Sequence, residues 1–409
     1  MNQQYLKNYA RLIVETGLNI IPGDSLKISL SEESLPLVRM IAEEAYQRGA
    51  LRIYYDLRDD ALTLSRYLHA SDESFASIPE YDVETELARF NDRTHRLSIA
   101  SSDPELLKDV DSKRISDWRK VSGAAMRPIQ ELGMANKMKW CVAAVPSEAW
   151  AKQVFPDLEP TEAVDRLWGL VFEACRCDAD DPVQAWKEHN ATLKHREGFL
   201  NKHQFKTLRY EAPGTSFEVG LVDHHVWVGG SSPYQSGEEF MANIPTEEVF
   251  TMPDRNRAEG RLQATLPLSL NGRMVKDFWF EFKDGQVIDC GASEGEDVLK
   301  ELLETDEGAK RLGEVALVDV NSPIYQTGVL FKNTLFDENA SCHFALGAAY
   351  SENLTGSSTL SAGEKLAAGM NDSLIHVDFM VGSEELNITG ITADGQEIAV
   401  MREGTILDK

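Results

Sequence analysis

The fold of the first half is set by residues 25–55, which read SLKISLSEESLPLVRMIAEEAYQRGALRIYY. Ser25–Leu30 alternates in polarity, as a half-buried strand does. Leu35–Arg48 has helical spacing and stops at Gly49, a typical residue for a helix end. Leu51–Tyr55 predicts a second strand, so the order strand–helix–strand indicates a parallel βαβ unit.

Helices and one more strand extend this unit on both sides. Residues 3–17 have helical spacing, and Pro22-Gly23-Asp24 predicts a turn before the first strand. Residues 60–135 are predicted to be mostly helical, and Lys139–Val145 predicts another buried strand. Two further helices are expected over residues 161–175 and 182–200. The first half is therefore expected to be α/β.

Near residue 205 the pattern changes to short alternating runs. Asn271-Gly272 is a strong hairpin signal, with Leu262–Leu270 leading in and Met274–Phe282 leading out. Other strands are predicted at 208–211, 216–219, 287–290, 315–320, 374–381, 386–391 and 397–401, with a helix at 296–303. We expect an α/β N-terminal domain over residues 1–205 and an α+β C-terminal domain with a mainly antiparallel sheet over residues 206–409.

The net charge of the chain limits the kinds of molecule that it is expected to bind. The chain has 409 residues and a formal net charge of -26, from 67 acidic and 41 basic residues. Such a chain is not expected to bind nucleic acid or an anionic membrane surface, since both need clusters of Lys and Arg. A cation such as a metal ion or a free amine is favoured, although solubility alone is the simplest explanation of the charge.

The cysteines and the N-terminus indicate a cellular compartment. The five cysteines are scattered and contain no CxxC pair, so a disulfide framework is not expected. The first residues, MNQQYLKNYARL, lack the features of a signal peptide, and no run of 18 apolar residues occurs. We expect a cytoplasmic protein.

Two histidines in the second half have the surroundings of metal ligands. His376 and Asp378 lie two residues apart in a predicted strand, so both project from one face and can reach one ion. Alternatively, the carboxylate only orients a buried histidine. His343 lies among small apolar residues, where a polar ring needs a partner. A helix would put His343 and Tyr350 on one face, a strand would align His343 with Ala345, and a satisfied core histidine remains an alternative.

Carboxylates occur at two further strand ends. Glu247 and Glu248 follow Pro245 and precede the strand-like Val249-Phe250-Thr251. A helix start is the alternative, which the β-branched and aromatic residues disfavour. Glu314 opens the predicted strand at 315–320 and can point into a site, but by itself it is more simply an exposed edge residue.

These carboxylates, histidines and a tyrosine together suit a pair of divalent first-row ions. The sequence has no GxSxG elbow, no GxxxxGK phosphate loop and no GxGxxG. Cys342 beside His343 is not expected to form a thiol–imidazole dyad, because adjacent side chains rarely meet.

The same stretches resemble the thermophilic-type metalloaminopeptidase family M29, which includes aminopeptidase T, aminopeptidase S and Bacillus aminopeptidase II. The most specific runs are PTEEVFT at 245–251 and HVDFMVG at 376–382. The other matching stretches are 18–24, 237–240, 243–244, 313–316, 339–350 and 372–375. The resemblance covers essentially the whole chain.

The resemblance implies which residues bind metal. The implied ligands are Glu248, Glu314, His343, His376 and Asp378, with Glu338 and Tyr350 lining the site as further candidate ligands. Glu248 is favoured over Glu247, because its separation from Glu314 fits the family better. The resemblance also implies a homodimer, a metal-binding catalytic domain in the C-terminal half, and two ions. These ions are expected to be zinc or cobalt, with manganese or magnesium also possible.

The implied reaction is the release of N-terminal residues from peptides with a free N-terminus by metal-activated water. Glu247 or Glu338 is the candidate that moves a proton to the leaving amine, and Tyr350 the candidate donor to the oxyanion. Glu314 is expected to serve catalysis as well as metal binding. Two alternatives are a two-metal hydrolase of non-peptide amides or esters, and a non-catalytic metal- or peptide-binding protein.

Overall fold

The computed structural model describes residues 2–101, 103–270 and 273–408. The described chain forms two compact units, Met1–His189 with Ser231–Pro245 and Asn190–Gly230 with Thr246–Lys409. The domain boundary predicted near residue 205 stays a prediction. The helices and the large antiparallel sheets of the described chain agree with the predicted mixture of α and β structure.

The first unit contains a four-stranded parallel sheet in the order β2-β1-β3-β4. Along β1, Leu26, Ile28 and Leu30 are buried between half-buried polar residues, which is the alternation seen in the sequence. Because β1 and β2 pair in parallel with a helix between them, the predicted βαβ unit is confirmed. The strands are β1 (Ser25–Leu30), β2 (Arg52–Leu57), β3 (Thr94–Ala100) and β4 (Trp140–Ala144).

Among the described residues, eight α-helices accompany these strands, and the last continues into the second unit. The first begins where the side chain of Asn2 accepts the backbone N–H of Gln4 at 2.9 Å. It continues as a π-helical turn over Ile13–Gly17. The helices are α1 (Gln3–Leu12), α2 (Leu35–Gln47), α3 (Asp60–His69), α4 (Glu80–Asn91), α5 (Ser112–Met134), α6 (Glu148–Val154), α7 (Pro160–Ala174) and α8 (Pro182–His203).

The prediction that residues 60–135 are mostly helical is wrong for one segment. Strand β3 lies in the middle of the sheet, between β1 and β4. Its sequence THRLSIA has only Leu97 and Ile99 as strongly apolar alternating residues, so its period-two signal is short. His95 is buried in this strand, where its ring packs edge-on against Tyr234.

A buried ionic network joins the amino ends of three neighbouring strands. The carboxylate of Asp24, just before β1, accepts hydrogen bonds from Lys139 Nζ at 2.7 Å and Arg93 Nη2 at 2.7 Å. Lys139 precedes β4 and is fully buried, and Arg93 precedes β3. Burial raises the pKa of Asp24, but the hydrogen bonds and charges of His95 and Lys139 outweigh it and leave that pKa well below its usual value. The network therefore ties the amino ends of β1, β3 and β4 together through paired charges, of which those of Asp24 and Lys139 are buried.

The second unit is built from two antiparallel sheets. One has the order β18-β17-β16-β10-β7, and the other has the order β15-β14-β11-β6-β5-β19-β20-β21. Two-stranded pairs β8-β9, in the first unit, and β12-β13 complete the topology of the described chain. The strands are β5 (Thr207–Ala212), β6 (Thr215–Leu221), β7 (Val228–Gly229), β8 (Ser232–Pro233), β9 (Glu239–Phe240), β10 (Val249–Thr251), β11 (Pro253–Gln263), β12 (Leu268–Leu270), β13 (Arg273–Val275), β14 (Trp279–Lys283), β15 (Gln286–Gly291), β16 (Leu312–Leu317), β17 (His343–Gly347), β18 (His376–Met380), β19 (Asn387–Ile391), β20 (Glu397–Arg402) and β21 (Thr405–Ile406).

Aromatic side chains fill the space between the two sheets. Phe217 of β6 contacts Phe344 of β17 with ring centroids 5.5 Å apart, and Phe280 of β14 contacts Phe379 of β18 at 5.1 Å. All four rings are buried, so one face of the five-stranded sheet is apolar. The short helices of this unit are α9 (Glu296–Leu303), α10 (Pro323–Gln326), α11 (Thr334–Asp337) and α12 (Ala362–Ala367).

The hairpin predicted over residues 262–282 is correct in outline but not in its strands. The main pairing is between β11 and β14, with Gly260 opposite Phe282. The tip forms the separate pair β12-β13, with Leu268 opposite Val275. The predicted turn Asn271-Gly272 lies outside the described residues. None of the described helices has an apolar run long enough to span a bilayer.

We expect Asp24→Asn to destabilise the protein by about 3–5 kcal/mol, because it leaves the buried Lys139 ammonium without its carboxylate. The midpoint of urea unfolding measures this loss. In a Lys139→Met background the same change should cost less, because the uncompensated charge is then absent. Glu105→Gln, which removes an exposed pair with Lys108, serves as the control and should change stability by less than about 1 kcal/mol. Equal losses in both backgrounds would show that Asp24 and Lys139 are not coupled.

Candidate metal centre

The predicted ligands lie on the face of the five-stranded sheet that is opposite the aromatic core. Side chains alternate along a strand, so His343 projects from the other face than Phe344. In β18, His376 and Asp378 likewise alternate with the core residue Phe379. The structure therefore assigns His343 to a strand and excludes the helix that would have placed it over Tyr350.

The strand register brings the remaining ligands to the same place. Ala316 of β16 lies opposite His343, and Ala345 of β17 lies opposite both Glu314 and Asp378. Glu314 thereby projects beside both histidines from the neighbouring strand. Glu248 directly precedes β10, which pairs with the other edge of β16. The strand reading of residues 249–251 is confirmed, and the helix start is wrong.

Four short distances define the centre. His343 Nε2 lies 3.1 Å from Glu248 Oε2 and 3.8 Å from Glu314 Oε1. His376 Nε2 lies 3.2 Å from Glu314 Oε2 and 3.4 Å from Asp378 Oδ1. Two groups of three potential ligands result, Glu248 with Glu314 and His343, and Glu314 with His376 and Asp378. We call them the inner and the outer group, and Glu314 belongs to both.

The second nitrogen of each imidazole determines what the first can do. His343 Nδ1 lies 3.1 Å from the carbonyl oxygen of Ser341, and His376 Nδ1 lies 2.8 Å from that of Ala348. A carbonyl oxygen only accepts, so Nδ1 carries the proton in both rings. In a neutral ring, Nε2 therefore carries a lone pair, and this lone pair faces carboxylate oxygens. This arrangement is repulsive unless a cation, a proton or a metal ion, lies between the rings and the carboxylates.

A buried carboxylate oxygen supports the same conclusion. Glu248 Oε2 is buried, and in the described chain it has a hydrogen-bond donor only when His343, whose Nε2 lies 3.1 Å away, is protonated. Carboxylate oxygens and neutral imidazole nitrogens with deprotonated Nε2 are ligands that divalent first-row ions accept. The donor set therefore fits divalent metal ions.

The mutual electrostatics of the centre show how strongly it attracts cations. Burial raises the pKa of Glu248, and the negative charges of Glu314 and Asp378 raise it further. Burial lowers the pKa of His343 and of His376, but the neighbouring carboxylates more than reverse this and leave both pKa values well above the usual one. Without metal, the centre therefore holds protons that a metal ion must displace.

Three predicted site residues lie beside the two groups and belong to neither. Glu338 follows α11 and is half-buried, and its pKa is raised well above normal by burial and then by Glu248 and Asp378. The ring of Tyr350 packs against His376 at 4.8 Å between centroids. Glu247 is buried, and its backbone N–H donates to Asn339 Oδ1 at 2.7 Å.

Two interpretations made from single segments concern Glu314 and Cys342; the first is wrong and the second is confirmed. Glu314 is not an exposed edge residue, because its strand is internal to the sheet and the residue is buried. The absence of a Cys342–His343 dyad is confirmed, since Cys342 Sγ donates to the carbonyl of Val318 at 3.3 Å. Burial raises the pKa of Cys342 to about 11, so the thiol is not ionised near neutral pH.

Sequence reasoning missed two residues that contact the centre. Phe250 packs edge-on against Tyr350 with ring centroids 5.9 Å apart. Asn339 is fully buried and hydrogen-bonded to the segment that carries Glu248. A buried asparagine has no signature in the sequence, because asparagine is most common in exposed turns.

Comparison with known proteins places the chain in a family. The sequence profile Peptidase_M29, described as thermophilic metalloprotease (M29), matches residues 2–406. The chain belongs to the M29 family. Among its M29 relatives, Aminopeptidase 2 from Geobacillus stearothermophilus is 46% identical over 402 residues, 98% of this chain and 97% of the relative. Aminopeptidase T from Thermus aquaticus is 39% identical over 399 residues, 98% of this chain and 97% of the relative.

A solved M29 structure also has the same fold. The structure titled wild-type AmpT from Thermus thermophilus superposes with a TM-score of 0.93 at 37% identity, and covers 99% of each chain. The predicted family, the predicted metalloaminopeptidase and the dependence on divalent metal are thus confirmed. The residues that bind metal, the number and identity of the ions, the homodimer and the cytoplasmic location stay predictions.

We expect Co²⁺ or Zn²⁺ to raise the melting temperature of chelator-treated protein, because the ion binds only the folded state. At one hundred times the dissociation constant the gain is about 2.7 kcal/mol. Glu314→Gln should lose most of this gain, because Glu314 belongs to both groups. Glu397→Gln, an exposed carboxylate on the other sheet, is the control and should keep it. Thermal melts with and without metal measure both, and a full gain in Glu314→Gln would contradict the assignment.

Proposed function

We propose that this M29 enzyme binds two divalent ions, one of which would be held by the inner group and one by the outer group, with Glu314 a member of both groups. The observation that carries the proposal is the placement of the two Glu314 oxygens, Oε1 towards His343 and Oε2 towards His376. Glu248 completes the inner group, and Asp378 completes the outer group. Zinc or cobalt suits the mixed carboxylate and imidazole set, and manganese or magnesium is also compatible.

The proposed substrate is a peptide with a free N-terminus. The relatives named above are aminopeptidases. Four carboxylates surround the centre, those of Glu248, Glu314, Glu338 and Asp378, against two histidines that are neutral when they bind metal. Two bound divalent ions would offset these negative charges, so we propose that the free α-amine is recognised by direct contact with one of these carboxylates or with an ion, a contact that a blocked terminus lacks.

The exposure of the two groups indicates how the substrate approaches. In the inner group the side chains of His343 and Glu248 are 1% and 10% exposed. In the outer group His376 is 22% exposed and Asp378 is 11% exposed. We infer that the substrate enters from the outer side, where a ligand can be reached without moving the strands.

The protein residues around the ions have distinct proposed roles. Bound divalent ions would supply a water of lowered pKa and polarise the scissile carbonyl. Glu338 is the better candidate to carry the proton to the leaving amine, because its carboxylate lies close to Glu248 and Asp378 yet outside both groups. Glu247 also belongs to neither group.

Tyr350 is proposed to donate a hydrogen bond to the oxyanion. Burial raises the pKa of its phenol well above normal, and the charges of Glu314 and Asp378 raise it further. Without metal the hydroxyl therefore keeps its proton and can donate a hydrogen bond, whereas a bound ion would lower this pKa and allow Tyr350 to act as a ligand. Its ring packs against His376, which holds it beside the outer group.

Two further proposals concern the oligomeric state of the protein and its location in the cell. An edge of the parallel sheet, strand β2, carries the exposed side chains Tyr55 and Leu57, and Leu62 is exposed nearby in sequence. Exposed apolar edge strands are used for pairing between chains, which supports a homodimer. All five cysteines are free and buried, which is compatible with the cytoplasm.

Free and blocked substrates separate the aminopeptidase from a general amide or ester hydrolase. We expect the metal-loaded enzyme to cleave an aminoacyl anilide and to leave its N-acetyl analogue intact, because acetylation removes the basic amine that would contact a carboxylate or an ion. Release of the aniline measures both rates. Comparable cleavage of the blocked analogue would favour the non-peptide hydrolase. Bound metal without any turnover would favour a metal- or peptide-binding protein.

Glu338→Gln tests the proton carrier. The change keeps the shape of the side chain and removes its basic oxygen, so we expect kcat to fall by roughly 10²- to 10⁴-fold with little change in metal content. Steady-state kinetics and metal analysis of the same preparation measure the two quantities. Glu247→Gln is the matched control and should fall by less than tenfold. The opposite order of the two variants would assign the role to Glu247.

A further inference from the structure

Asn339 lies where the two chain segments that carry carboxylates of the centre meet. Its side chain is fully buried. Its Oδ1 accepts the backbone N–H of Glu247 at 2.7 Å. Its Nδ2 donates to the carbonyl of Leu335 at 2.9 Å and reaches Glu338 Oε1 at 3.4 Å. One amide therefore contacts both the segment before β10 and the segment after α11.

The first contact bears on Glu248. The ladder of β10 with β16 begins at Val249, so Glu248 lies just outside it. A hydrogen bond on the backbone of Glu247 therefore acts one residue from a proposed ligand, at the point where strand pairing ends. Small movements of the backbone there translate directly into the position of the Glu248 carboxylate.

The second contact bears on Glu338. The amide NH₂ is a donor, and the Glu338 carboxylate is an acceptor within its reach. The bond to Leu335 holds the same NH₂ group against the last turn of α11, which fixes its direction. Residues with such contacts to metal-binding groups orient them, and their loss weakens metal binding.

We propose that Asn339 is a positioning residue that fixes the Glu338 carboxylate relative to the segment that carries Glu248. The inference rests on the proposed two-metal function and adds a residue to it. Only an amide supplies both interactions at this place, since the acceptor must face Glu247 N–H and the donor must face Glu338. An aspartate keeps the first interaction, loses the second, and adds a negative charge beside Glu338.

Asn339→Asp tests the proposal against a matched control. Asn201 also accepts a backbone N–H and donates to a backbone carbonyl, both from Trp227 at 2.9 Å. Asn201→Asp therefore breaks an equivalent donor bond away from the centre. Calorimetric titration of the chelator-treated full chain with Co²⁺ gives the metal affinity, and steady-state kinetics separates kcat from KM. Thermal melts of the metal-free proteins report the structural cost of each change.

We expect Asn339→Asp to weaken Co²⁺ binding by about tenfold to a hundredfold and to lower kcat more than it raises KM. Asn201→Asp should bind Co²⁺ within about twofold of the wild type, whatever its melting temperature. If Asn339→Asp does not fold, Asn339→Ser replaces it, since the shorter hydroxyl cannot reach both partners, and the same weakening is expected.

Two outcomes would overturn the inference. A folded Asn339 variant that melts at a lower temperature but binds Co²⁺ like the wild type has lost only a structural bond. Equal weakening in the Asn201 variant would show an effect of general destabilisation. A wild-type chain that binds no divalent ion would instead contradict the proposed function itself, and the inference with it.

Discussion

The structure depends on the compensation of several buried negative charges that lie side by side on one face of a sheet. Oxygens of Glu248, Glu314 and Asp378 face the Nε2 atoms of His343 and His376. The Nδ1 protons of these two rings are donated to the carbonyls of Ser341 and Ala348. Buried charges without partners are costly, so this face is stable only when cations occupy it. The need for a cation, whether protons or a metal ion, is therefore a property of the packing as much as of the chemistry.

The same strands that carry the ligands also close the hydrophobic core. Each has its alternate residues among the aromatic side chains between the sheets, so a shift by one residue would bury the ligands in the core and expose the aromatic rings. Gly347 permits the close approach of β17 and the chain before β18. It has a φ of +107°, and a Cβ there would meet the carbonyl oxygen of Ile375 at 2.1 Å. The hydrophobic core and the candidate metal centre thus lie on opposite faces of the same strands.

The sequence predicted those parts of the fold in which neighbours along the chain decide the outcome. The spacing of His376 and Asp378 placed both on one strand face, and the run from β1 to β2 predicted the parallel unit. Strand β3 was not predicted, because its own run THRLSIA gives only a short period-two signal and its place in the sheet depends on β1 and β4, which are distant in the chain. Glu314 was misjudged alone for the same reason, since only the strands on either side of β16 bury it.

The sequence by itself determined the periodicities, the polar side chains available for metal binding and the resemblance to the M29 family. These follow from local alternation and from residue type, which do not depend on folding. Only the tertiary structure decided which carboxylates meet, that Glu314 stands between two histidines, that Glu338 lies beside the two groups, and that Asn339 links two segments 92 residues apart. Strand register is set by packing across the whole unit, and no local pattern records it.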